Sequence, residues 1–90
     1  MTLQILSTPP PEPEEVTGKL AECIEQALEG AQVTVSSGGP GHFELDVVWP
    51  GFEGKRRVAQ QQLVYGAIAH LMAGDAAPVH AIDKMVTRTA

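Results

Sequence analysis

Hydrophobic positions along this chain change their period from one stretch to the next. Val16, Leu20, Cys23, Ile24, Ala27 and Leu28 recur at three- and four-residue steps, which predicts a first helix with Glu14 or Glu15 in its first turn and Gly30 at its end. Ala31, Val33 and Val35 then alternate with polar residues, and Phe43, Leu45, Val47 and Trp49 alternate with His42, Glu44, Asp46 and Val48. Two strands, each with one buried face, form a hairpin. The connection Ser36-Ser37-Gly38-Gly39-Pro40-Gly41 reads as a long loop, free to be shaped by a partner. Pro50 and Gly51 end the second strand. From Lys55 to about Ala73 the helical period returns, through Val58, Leu63, Tyr65, Ile68, Ala69 and Met72 and a second row of Val64, Ala67 and Leu71. So wide a stripe predicts a long, largely covered helix, stopped by Gly74 and Asp75. Pro78 introduces a third strand over Val79–Val86.

A strand, a helix and another strand in one sheet prefer a right-handed crossover with the two strands parallel. The expected fold class is therefore α+β: a single α-β-β-α-β domain over residues 16–90, with a three-stranded mixed sheet covered by helices on one face. Residues 1–15 hold Pro9, Pro10, Pro11 and Pro13 with three glutamates and no periodicity, and read as a flexible tail. The stretch Trp49–Leu71, a strand end, a turn and the long helix, is the centre on which the rest packs.

Ninety residues with 43% hydrophobic content allow one domain with one small core. No apolar run approaches the roughly 18 residues of a membrane span, and the N-terminus lacks the basic and apolar regions of a signal peptide, so a cytoplasmic address is expected. The net charge of −5 argues against unspecific attraction to nucleic acid. That charge is unevenly placed, with nine acids against Lys19 alone in residues 1–53 and five basic residues against Asp75 and Asp83 in residues 54–90. The two ends can face different partners.

Catalytic motifs are missing: there is no Gly-x-Ser-x-Gly elbow and no Walker loop, and an enzyme is not expected. Glu44 and Asp46 lie on the polar face of a hairpin, where solvation explains them. Cys23 belongs to the first apolar stripe and reads as a small buried hydrophobe. It has no second cysteine with which to pair. His70 lies within the long helix and reads as structural or surface. His42 and His80 are different, because each opens a strand and the two strands are expected to run parallel. That places two exposed imidazoles near each other on one side of the domain. Two histidines alone bind a metal weakly, since a closed site takes about four ligands. They invite a shared site whose remaining ligands come from another molecule.

Four fragments, Gly-His-Phe at 41–43, Phe52-x-Gly54-x-x-Arg57-Val58, Gln62-Leu63-Val64-Tyr65 and Val79-His80-Ala81, occur in the order and spacing of BolA-like proteins. The chain resembles that family over about residues 16–86, and Phe52, Gly54, Val58 and Tyr65 carry its signature. The resemblance implies a fold similar to the type II K-homology domain and partnership with monothiol, CGFS-type glutaredoxins. In such pairs a [2Fe–2S] cluster is bridged, with the glutaredoxin cysteine and a glutathione thiol on one side and the BolA-like protein on the other. On the family pattern His80 is one ligand. The loop ligand, cysteine or histidine among members, falls on His42, so the chain resembles the histidine subtype. Such a cluster should be labile to protonation, because a histidine must be neutral to ligate. No cofactor is expected in the isolated chain, which would be a monomer or weak homodimer. The resemblance thus points to an adaptor in iron–sulfur sensing, storage or transfer, within iron homeostasis.

Two departures stand out. Members often continue with Thr-Pro and a short helix where this chain reads Thr87-Arg88-Thr89-Ala90, and Lys84 falls where alternation from Ile82 calls for an apolar residue. The alternative function is a DNA-binding transcriptional regulator of stress or morphology response, using Lys55, Arg56 and Arg57 at the helix start. Gly51-Phe52-Glu53-Gly54 formally matches a Gly-x-x-Gly loop, but it is acidic inside and follows a strand.

Overall fold

The structure, a computed structural model, describes residues 13–74 and 77–89. Helix α1 spans Pro13–Ala27, strand β1 Gln32–Gly39, β2 His42–Val48, helix α2 Arg57–Ile68 and β3 Ala81–Arg88, with 3-10 turns at Pro50–Phe52 and Ala69–Leu71. The sheet order is β1-β2-β3, with β1 antiparallel and β3 parallel to the central β2. This is the expected α+β architecture. Glu14 and Glu15 sit in the first turn of α1, where their charge suits the helix dipole. The tail expected over residues 1–15 lies, up to residue 12, outside the described residues.

The core follows from the two periods. Leu20, Ile24 and Leu28 from the α1 segment, Val64 and Ile68 from α2, and Phe43, Leu45 and Val47 from alternate positions of β2 are buried together. Phe52 lies at 0% exposure between the helices and the end of the sheet. Its ring meets the Trp49 indole edge-on at 5.2 Å. Trp49 Nε1 donates to the Glu29 carbonyl at 2.9 Å, joining the exit of α1 to the exit of β2. Gln60 then fastens the following loop to both neighbours. Its amide donates to the carbonyls of Phe52 and Lys55, at 3.2 and 2.9 Å, and its Oε1 accepts from Thr87 Oγ1 at 2.6 Å.

Four expectations are corrected. Helix α2 does not run to Ala73. It ends at Ile68 and tightens into a 3-10 turn over Ala69–Leu71, which buries Leu71. Nor is α2 largely covered: Val58 is 64% and Tyr65 40% exposed, since only the row through Val64 and Ile68 faces the sheet. The glycine-rich stretch is not a long loop. Ser36 to Gly39 continue β1, and only Pro40 and Gly41 turn the chain, in the order a type II turn requires, with Gly41 at φ +77°. Finally, β3 begins two residues later than expected and contains a bulge. Phe43 pairs with Ile82 but Glu44 pairs with Lys84, so Asp83 has no partner across the ladder. This one extra residue resolves the oddity of Lys84: it turns the lysine outward opposite Glu44 and brings Met85 onto the core beside Leu45.

Candidate functional site

The end of the sheet where β2 and β3 begin is built around Gly41. Its carbonyl accepts the backbone N–H groups of both His80 and Ala81, at 2.8 and 3.0 Å, while His42, the next residue, pairs with Ala81. The two histidines therefore sit on either side of one crossing point between neighbouring strands. His80 immediately precedes β3. Its imidazole lies across the Gly41 α-carbon: a methyl group there would stand 2.7 Å from both Cγ and Nδ1 of the ring. Gly41 is thus required twice, for its left-handed backbone and for the ring packed upon it.

His42 points to the sheet face opposite Phe43 and meets the bulged residue. Its Nδ1 lies 3.1 Å from Asp83 Oδ1, with both side chains about half exposed, at 48% and 46%. A second bulge lies alongside, for Ser37 pairs with Phe43 and Gly39 with His42, leaving Gly38 unpaired. A methyl group on Gly38 would be 3.8 Å from Asp83 Oδ2. Two bulges on the flanking strands thus converge where His42 begins the central one. Among the described residues no three His, Cys, Asp or Glu side chains gather in a way that could hold a metal ion. His42 and His80 offer two exposed nitrogen donors, and a metal held there needs further ligands from another molecule.

Lys55, Arg56 and Arg57 are all exposed, but at the far end of the sheet. They follow the exit of β2, about 20 Å from its entry on the rise of a seven-residue strand. Arg56 occupies the N-cap position of α2 without a side-chain cap bond, and no acid lies in the first turn. Of the signature residues, Phe52 is core and Gly54 takes φ +82°, whereas Val58 and Tyr65 point outward. Cys23 is half-buried at the core's edge, and its Sγ lies 3.6 Å from Nε2 of the exposed His70, a contact that neither residue's place in the sequence announces. Sequence reasoning also missed Asp83 as a neighbour of His42. The signal was Lys84 breaking the alternation.

Comparison with known proteins places these features in a wider group. Residues 21–90 match the family model of the BolA-like proteins. An uncharacterised Acinetobacter guillouiae protein from the rpoN-murA intergenic region is 41% identical over 65 residues, covering 71% of this chain and 74% of the relative. A bolA protein homologue from Coxiella burnetii is similar in structure, with 32% identity, a TM-score of 0.67 and coverage of 81% of this chain and 88% of that one. BolA1 from Arabidopsis thaliana shares the fold, with a TM-score of 0.69 at 23% identity over 81% of this chain and 89% of its own.

Proposed function

The chain belongs to the BolA-like protein family, and on that premise we propose that it is a non-enzymatic cytoplasmic adaptor that pairs with a monothiol, CGFS-type glutaredoxin. His80 and His42 are the ligands it contributes to a bridging [2Fe–2S] cluster, the others being the glutaredoxin cysteine and the thiol of glutathione. The observation that supports this most is that Gly41, the residue before His42, accepts the backbone N–H of His80 and carries its ring, so that two exposed histidines lie at one end of the sheet. Imidazole suits iron, and two histidines on one iron of such a centre lower its negative charge and raise its potential relative to four thiolates. When bound, the cluster supplies one-electron chemistry and a transferable unit of iron and sulfide; the chain's own part is to present two neutral nitrogens and to dock the partner.

Co-expression with a monothiol glutaredoxin in the presence of glutathione tests this. A coloured heterodimer with visible absorption and circular dichroism of a [2Fe–2S] centre is expected, weakened by His80→Ala and by His42→Ala. An unchanged spectrum in both variants would sink the ligand assignment, and no heterodimer would sink the adaptor.

A second reading, a DNA-binding regulator, draws on the start of α2. Three cations crowd an uncapped helix N-terminus, against the helix dipole, which costs stability unless an anion visits. The acidity of the chain as a whole, at a net charge of −5, leaves this reading second.

A further inference from the structure

We infer that Asp83 is a positioning residue for His42, fixing which of its two ring nitrogens is presented to a metal. The inference rests on His42 being a ligand, as proposed above. A carboxylate can only accept a hydrogen bond, so in the contact of 3.1 Å the Nδ1 of His42 carries the proton and donates it to Asp83 Oδ1. In the neutral ring this leaves the lone pair on Nε2, at the far edge of the imidazole. The Asp83 contact thus selects the tautomer and holds the ring plane, the role that carboxylates commonly play behind metal-ligating histidines.

The backbone explains why the carboxylate is there. Asp83 is the unpaired residue of the β3 bulge, released from the ladder beside the first residues of β2. Gly38 is the unpaired residue of the β1 bulge, and a methyl group there would lie 3.8 Å from Asp83 Oδ2, at ordinary contact distance. Bulges re-aim side chains beside functional sites, and the β3 bulge does so here by turning Asp83 toward His42. His80 is held otherwise, by Gly41 beneath its ring. The two imidazoles are therefore oriented by separate devices, one by packing and one by a hydrogen bond.

The decisive measurement is made on the free chain, without any cluster. Long-range proton–nitrogen correlation spectra, recorded at alkaline pH with His42 assigned by its loss in His42→Gln, report the tautomer directly. The Nδ1–H form is expected in the native chain and in Asp83→Asn, whose amide oxygen still accepts, and a shift towards Nε2–H in Asp83→Ala. A native His42 in the Nε2–H form, or a tautomer indifferent to Asp83→Ala, would overturn the inference. A second arm uses the glutaredoxin and glutathione complex: Asp83→Ala should lose its cluster about 10-fold faster than the native chain, the lower end of the effect of removing such partners, with Asp83→Asn close to native. Equal rates in Asp83→Ala and the native chain would also overturn it. If the native chain forms no cluster, the ligand assignment fails while the tautomer result stands by itself.

Discussion

The His80 imidazole and the Gly41 α-carbon are packed so tightly that not even a methyl group fits between them. This contact couples a turn residue to a candidate ligand 39 positions later in the chain, and it makes the coupling measurable.

Gly41→Ala places a Cβ 2.7 Å from the His80 ring and also forces alanine to φ +77°. The backbone part alone costs about 1–2 kcal/mol. The total should exceed that, and most of the excess should be lost in the His80→Ala background, where only the Cβ at 3.2 Å remains, as urea unfolding of the two single variants and the double variant can measure. Equal costs in both backgrounds would show that the ring does not oppose the methyl group.

Removing Gln60 breaks three hydrogen bonds that join the loop after β2, helix α2 and β3. Gln60→Ala should destabilise the domain by about 1–2 kcal/mol, because the half-buried Thr87 hydroxyl loses its partner and the Phe52 carbonyl keeps only the Lys55 N–H, while the Lys55 carbonyl is exposed to water. Thr87→Val should cost less, about 1 kcal/mol. Chemical denaturation monitored by Trp49 fluorescence gives both values.

Helix α2 allows a comparison within one element. Val64→Ala empties a fully buried site and should cost about 2 kcal/mol, whereas Val58→Ala, at 64% exposure, should stay within about 0.5 kcal/mol. Similar destabilisation at the two positions would mean that the outer row of α2 is covered after all.

Because Lys55, Arg56 and Arg57 lie at the opposite end of the sheet from His42 and His80, changing all three to alanine should leave the spectrum of a glutaredoxin-bridged cluster unaltered. Any DNA binding should respond to the same change with a shallower salt dependence, by about one unit of slope for each phosphate no longer neutralised. A cluster spectrum altered by the triple variant would show that the two ends are not independent.

The alternation of Phe43, Leu45 and Val47 made β2 legible, because a central strand under two helices must present one apolar row. The parallel placement of β3 followed from the intervening helix, and with it the nearness of His42 and His80. What was hidden has a common cause: pattern carries no record of an irregular backbone. Ser37, Gly38 and Gly39 are turn-forming residues by composition yet belong to a strand that passes through a bulge. Val58 and Tyr65 keep helical spacing with the core residues but lie off the row that meets the sheet, a difference set by where α2 lands. Cys23 and His70 meet across 47 positions, which no local pattern encodes.

The bulge in β3 has one more consequence, for changes in chain length. Deleting a residue from a regular strand reverses the side-chain alternation beyond it. Deleting Asp83 would instead leave Ile82 opposite Phe43 and Lys84 opposite Glu44, as they are now, with Met85 still beneath the helices. Asp83 is thus a supernumerary residue of the ladder, one the strand can give up without turning over.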